Sequence, residues 1–251
     1  MKFNFSRFFK KDAKGQALPQ KDLVITIHGF GFKTMHEFDP LAEYLEKEGF
    51  EVWQFSYFNP NDPDDTDISQ WMRRCETRIQ QAIAQRRTIH LVGFSMGGII
   101  ASHLASIYSI EDLLLAAPAF YPFDFNQVSR VAKNKIMPKS DNAAPSMSGE
   151  HTKGFVSVVQ NFRNDILKVK CPIFILHGTG DEVVQYKSSR KIFNQIPNKE
   201  KALVFLHHAK HRFLYDGPYQ SLAFSLIRDY FRHEIKPQIY QDDDIDNEDD
   251  H

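Results

Sequence analysis

The chain has 251 residues, 42% hydrophobic and 25% charged, enough for one large domain with a substantial core or at most two small ones. The formal net charge of −1 conceals an asymmetry: residues 242–251 carry seven acidic side chains, the first 21 residues hold six Lys/Arg against one Asp, and residues 1–241 sum to +6. No basic stripe runs through a predicted element, which argues against nucleic acid, and no run of eighteen apolar residues is present to span a membrane.

In chain order, residues 1–11 set Phe3, Phe5, Phe8 and Phe9 among Lys2, Arg7, Lys10 and Lys11. That interruption excludes a secretory signal. An N-terminal arm or edge strand over residues 1–21 is expected, with weak adhesion to a membrane surface as its alternative. Residues 22–27 read as a buried strand entering His28-Gly29-Phe30-Gly31. Met35, Phe38, Leu41, Ala42 and Leu45 recur at helical spacing, and Gly49 is a stop. Residues 50–57 are strand-like and residues 59–65 a loop. Ile68, Trp71, Met72, Cys75, Ile79 and Ile83 mark one face of a long helix, with Asp67 and Gln70 as a capping pair. Residues 88–92 form the next strand and residues 96–108 the next helix. Strands follow at 113–116, 173–176 and 202–206, with helices at 186–196 and 219–231. Six strands alternating with helices predict an α/β fold with a parallel sheet covered on both faces.

Residues 118–170 break the alternation. This stretch has a polar centre at 139–149 and a helical end around 155–169. A connection this long between two sheet strands is usually functional, and it leaves the sheet at the end where ligands bind in open α/β folds. It is read as a cap, against the alternative of an ordinary surface insertion. The acidic residues 242–251, with Ile245 the one apolar side chain, bury too little surface to offset the entropy of ordering and are expected to be a disordered tail.

The chemistry is concentrated in His90-Leu91-Val92-Gly93-Phe94-Ser95-Met96-Gly97-Gly98. A short apolar strand runs into G-x-S-x-G and then an apolar helix, the pattern that presents a serine on a strained strand-to-helix turn. Gly93 and Gly97 answer to that turn, and Gly98 to close packing of the helix on the strand. A serine hydroxyl needs a base within hydrogen-bond reach, itself oriented by a third group. Asp181, in His177-Gly178-Thr179-Gly180-Asp181 after the strand at 173–176, and His211, after the strand at 202–206, stand downstream in the order Ser, Asp, His. Asp124 competes with Asp181 as the acid. His207 and His208 fall too early to be the base and read as strand-end or solvent residues. Cys75 and Cys171 read as buried thiols of a reducing compartment, hence a cytoplasmic protein. No metal-ligand spacing occurs, and no cofactor is implied.

These segments resemble the α/β-hydrolase-fold serine hydrolases, in the style of bacterial carboxylesterases and monoacylglycerol lipases, over roughly residues 22–231. The resemblance implies an α/β-hydrolase fold at residues 22–241: a mostly parallel central sheet, helices on both faces and a cap inserted between two strands. It implies a catalytic Ser95, Asp181 and His211, and an oxyanion hole from the backbone N–H groups of Phe30 and Met96. The loop reads H-G-F-G and not the H-G-G-G of some lipases, a departure that bears on tertiary-alcohol esters as substrates. Only some twenty residues precede residue 22, where the family commonly has a strand pair, so the sheet is expected to be shortened at that edge. The expected activity is hydrolysis of small-molecule carboxylic esters with small to medium acyl chains. A thioesterase or amidase would use the same residues, and a non-catalytic binding module of this fold is the remaining alternative. Phe120, Tyr121, Phe123, Phe125 and Phe155 either line an acyl pocket or pack the cap onto the body.

Overall fold

The structure is a computed structural model that describes residues 20–121, 147–215 and 217–235. Six strands form one all-parallel sheet: β1 (Leu23–Ile27), β2 (Glu51–Trp53), β3 (Ile89–Phe94), β4 (Asp112–Ala116), β5 (Ile173–Gly178) and β6 (Lys201–Leu206). Their order across the sheet is β2-β1-β3-β4-β5-β6. Consecutive side chains on a strand point to opposite faces. Leu23, Ile25, Leu91, Leu113, Leu115, Ile173 and Ile175 enter one core; Val24, Val92, Phe94, Leu114, Phe174 and Leu176 enter the other. Because both faces are covered, the central strands read as continuous apolar runs. The edge strands β2 and β6 keep partly exposed residues.

Among the described residues the α-helices are α1 (Asp39–Lys47), α2 (Ile68–Ala84), α3 (Met96–Ile107), α4 (Gly149–Phe162), α5 (Tyr186–Gln195) and α6 (Gln220–Phe231). Buried residues of α2, α3, α4 and α5 pack on the first face, and those of α1 and α6 on the second. The chain therefore has the layered α/β architecture that the alternation predicts.

The departures are local. The helix expected from Met35 breaks into a 3-10 turn, Thr34–Phe38, followed by α1, whose first turn carries Pro40. A proline lacks the amide that an uninterrupted helix would need there. Strand β2 has three residues, because Phe55, Tyr57 and Phe58 turn inward to the core after it. On α2 the buried face is Trp71, Met72, Cys75, Ile79 and Ala82, whereas Ile83 is 42% exposed. Asp67 caps α2, but its side chain accepts from the Ser69 N–H at 2.8 Å, so the cap is a simple one without a reciprocal Gln70 contact. Cys171 is only partly buried, while Cys75 is fully so. Helix α4 starts at Gly149, the last residue of the expected polar centre and ahead of the helical stretch expected around 155–169, with Ser148 as its cap accepting the His151 N–H at 3.1 Å. A 3-10 turn, Asp165–Lys168, then leads to β5. The N-terminal arm up to residue 19, most of the polar centre at 139–149, Phe123, Asp124, Phe125 and the acidic tail lie outside the described residues. No described helix is long and apolar enough to cross a membrane.

Candidate active site

Parallel strands end on the same side, so the segments after β1, β3, β5 and β6 are delivered to one edge of the sheet. Ser95 links β3 to α3 with φ 54° and ψ −118°, a conformation that a side-chain-bearing residue holds only where its surroundings enforce it. The enforcement is visible on both sides. The Ser95 N–H donates to the Ala116 carbonyl at 3.0 Å, and the Ser95 carbonyl accepts from Gly98 at 3.0 Å and Ala119 at 3.1 Å. The crossing is too tight for side chains. A Cβ on Gly97 would collide with the carbonyls of Ile27 and His28, and one on Gly93 would come within 2.5 Å of the Gly97 carbonyl. Gly98 is required for another reason than expected. Its missing side chain makes room above all for Pro118, in the segment after β4, 2.9 Å from where a Cβ would lie, with the Gly93 carbonyl of β3 at 3.6 Å.

Asp181 follows β5 on a turn built around its own side chain. Oδ1 accepts the N–H groups of Val183 and Val184, each at 2.8 Å. The other oxygen, Oδ2, faces two histidines: His177 Nε2 at 3.0 Å and His211 Nδ1 at 2.7 Å. Burial works to raise the pKa of this carboxyl, but the His211 charge and hydrogen bonds from His177 and His211 outweigh it, holding Asp181 well below the usual carboxylate range. The His211 loop is tied to the Asp181 loop by Thr179 N–H to Leu206 O, Gly180 N–H to Ala209 O and His208 N–H to Thr179 Oγ1.

These contacts assign the histidine protons. Both partners of His177 Nε2, Asp181 Oδ2 and the Val184 carbonyl at 3.0 Å, are acceptors, so this nitrogen carries the hydrogen. Ser189 Oγ lies 2.7 Å from the other ring nitrogen. For His211 the acceptor sits at Nδ1, so Nδ1 donates and the neutral ring leaves its Nε2 lone pair free. The His211 ring packs on Phe94, the residue before Ser95, with ring centroids 4.8 Å apart. Among the described residues, no hydrogen bond joins Ser95 Oγ to His211; such contacts often tighten only with substrate bound.

The loop after β1 carries Phe30. His28 is buried, and burial lowers its pKa to about 4, against the smaller opposing pull of its hydrogen bond to the Gly29 carbonyl. The neutral ring donates from Nδ1 to that carbonyl at 2.8 Å, while Nε2 accepts the Tyr57 N–H at 3.4 Å and the ring stacks on Tyr57. Tyr57 Oη donates in turn to the His28 carbonyl at 2.9 Å. Met96 is the first residue of α3, where free amides and the helix dipole favour developing negative charge. Phe30 stacks on Phe58 and on Phe155 of α4, which places this helix of the 118–170 segment directly on the loop.

The structure therefore brings Asp181 and His211 into contact and sets Ser95, Phe30 and Met96 at the same sheet edge. His207 and His208 are exposed. Asp124 lies outside the described residues. Among the described residues, no three His, Cys, Asp or Glu side chains gather as a metal-ligand set. Two residues at this edge carry no role in the sequence reading. His177 was visible as part of its motif. Glu37, buried beneath the Phe30 loop, has for a signal only an acidic side chain between Met35 and Phe38 in an otherwise apolar spacing.

Strand order, elbow and the loops at the sheet edge define an α/β-hydrolase-fold protein. Solved structures bear this out at the level of fold. One is reported with the metagenome-derived lipolytic enzymes LipS and LipT (TM-score 0.72, 19% identity, 85% of this chain and 94% of that chain). A second is the monoacylglycerol lipase of Paleococcus ferrophilus (TM-score 0.67, 17% identity, 90% and 97%). Within that fold the chain belongs to the family described as uncharacterised protein family UPF0227, whose pattern matches residues 24–213. Among curated proteins it is similar to the mitochondrial palmitoyl-protein thioesterase ABHD10 of Homo sapiens and of Pongo abelii, 22% identical to each over 204 residues. The match takes in 74% of this chain and 65% of the length of those relatives.

Proposed function

We propose that the chain is a serine hydrolase cleaving carboxylic esters of small to medium acyl chains through an acyl-Ser95 intermediate. The observation that carries this reading is the His211–Asp181 pair at 2.7 Å, held at the same sheet edge as a serine in a strained turn. In the proposed cycle Ser95 Oγ attacks the ester carbonyl carbon while its proton passes to His211 Nε2. Asp181 holds the Nδ1–H and stabilises the imidazolium. The carbonyl electrons move onto oxygen, where the Phe30 and Met96 N–H groups receive the charge. Collapse of the tetrahedral adduct breaks the bond to the alcohol, which takes the proton from His211. A water molecule then repeats the sequence on the acyl-serine and releases the acid.

The same residues serve a thioester, and the similarity to ABHD10, named a palmitoyl-protein thioesterase, favours that as the second reading. The two free cysteines, Cys75 wholly buried, fit a reducing compartment such as the cytoplasm. Rates on p-nitrophenyl esters from short to long chains, beside an acyl thioester and an anilide, decide the bond type. Highest kcat/KM on short or medium esters is the expected result. A preference of more than about tenfold (~1.4 kcal/mol in the barrier) for the thioester would replace the ester reading with the second.

A further inference from the structure

The carboxylate of Glu37 is buried, 5% exposed, on the 3-10 turn Thr34–Phe38 just after the Phe30 loop. Placing a carboxyl there without a partner is costly. Its partner is the backbone of the loop itself: Oε2 accepts the Gly29 N–H at 2.8 Å. A Cβ on Gly29 would lie 2.9 Å from Phe94 Cδ1 and 3.3 Å from Glu37 Oε2. Gly29 is thus held between the residue preceding Ser95 and the Glu37 carboxyl, with no room for a side chain.

The next peptide, Gly29–Phe30, is trans. Its carbonyl is bound on one side by His28 Nδ1 at 2.8 Å, so its N–H points the opposite way. Two contacts therefore fix the direction of the Phe30 amide: His28 on the carbonyl of its own peptide and Glu37 on the amide of the peptide before it. Burial pushes the Glu37 pKa up, against the pull of the Gly29 amide and the charges of Arg212, His211 and Lys33, with Tyr57 and Tyr215 also close. In either protonation state the carboxyl keeps an oxygen that accepts the Gly29 N–H.

We propose that Glu37 is a positioning residue of the oxyanion loop: through the Gly29 N–H it holds the loop against the elbow, so that the Phe30 N–H faces the reacting carbonyl oxygen. This inference rests on the serine-hydrolase reading above. It assigns to Glu37 a role in the transition state and none in substrate binding.

The test compares wild type, Glu37→Gln and Glu37→Leu. Active sites are first counted with a fluorophosphonate, so that misfolded protein drops out of kcat. Per active site, Glu37→Leu is expected to lower kcat about a hundredfold with KM within about twofold, the scale of loss for a small misplacement of catalytic geometry. An aryl trifluoromethyl ketone, which Ser95 Oγ would convert to an oxyanionic adduct, is expected to bind more weakly by a similar factor. Glu37→Gln, whose amide oxygen still accepts the Gly29 N–H, is expected to stay within about fivefold of wild type, well short of that loss. Unchanged kcat per active site in Glu37→Leu, or equal losses in Gln and Leu, would overturn the inference while leaving the serine-hydrolase reading intact. A wild-type protein that neither hydrolyses esters nor takes up the phosphonate would overturn both.

Discussion

Asp181 Oδ2 is shared between His211 and His177, the latter only four residues earlier in its own motif and 3.0 Å away. The Asp181 carboxylate is therefore held at both of its oxygens. Its two oxygens face only donors, the amides of Val183 and Val184 and the two ring N–H groups. Asp181→Asn would turn an NH2 group toward at least one of those donors. It is expected to lower kcat by about 10⁴-fold, the scale of loss when the acid of a Ser-His-Asp triad becomes an amide. Asp124→Asn should leave kcat essentially unchanged. The reverse ranking, with both variants folded by circular dichroism, would move the acid to the 118–170 segment.

Phe155 of α4 stacks on Phe30 with ring centroids 5.4 Å apart and planes 16° from parallel. If residues 118–170 act as the proposed cap, Phe155→Ala opens the space above the loop. The relative rates on short and long esters should then shift toward long chains by about tenfold, within the 1–3 kcal/mol that apolar pocket contacts supply. An unchanged chain-length profile with normal folding would reduce the segment to a surface insertion.

His28 links pH to stability. Its folded pKa is about 4, against about 6.5 in the unfolded chain. Between these values the unfolded state binds a proton that the folded state rejects, so stability is full above pH 6.5 and falls as the pH drops toward 4. The loss across that window is about 3 kcal/mol. Urea unfolding of wild type and His28→Asn at pH 7.5 and pH 4.5 measures it. The stability gap between the two should narrow on acidification, and a constant gap would rule out this linkage.

The opposite end of the sheet carries a second buried pair. His90 Nδ1 lies 2.9 Å from Asp112 Oδ2, both side chains almost wholly buried where β3 and β4 are in register. Removing one partner strands the other away from water. Asp112→Ala or His90→Ala should each lower stability by about 3–5 kcal/mol, with kcat per active site unchanged. Losses below about 1 kcal/mol in both, the range of an exposed pair, would show that the pair carries little of the fold.

This pair also marks the limit of what the sequence discloses. His90 and Asp112 are 22 positions apart, and nothing local couples them; only the register of two parallel strands does. The turn at Ser95, by contrast, is legible because its residues form one local motif: Gly93 answers to Gly97 and Gly98 a few positions on, although the demand on Gly97 comes from the Ile27 and His28 carbonyls at the end of β1. The six strands are legible as mainly apolar runs, because a sheet covered on both faces leaves few polar positions, His90, Asp112 and His177 among them. The sequence predicts a longer β2 than the three residues formed, because the inward turn of Phe55 and Tyr57 also looks like a strand. Ile83 falls on the apolar face of α2 by spacing and is nevertheless exposed, because helical spacing gives a direction but not where the neighbouring surface ends. Glu37 was illegible because its burial depends on the fold bringing the Gly29 amide above it.

Ser95 is proposed as a nucleophile activated by His211 and Asp181, which labelling of the intact protein with a fluorophosphonate, the adduct being located by peptide mass spectrometry, puts to the test. One adduct per chain on Ser95 is predicted, absent in Ser95→Ala and formed far more slowly in His211→Ala. The kcat losses in those variants should be several orders of magnitude each, up to about 10⁶-fold, with the double variant little worse than either. A chain that takes up no label, or takes it up at another residue while Ser95→Ala retains full activity, would show that Ser95 is not the nucleophile.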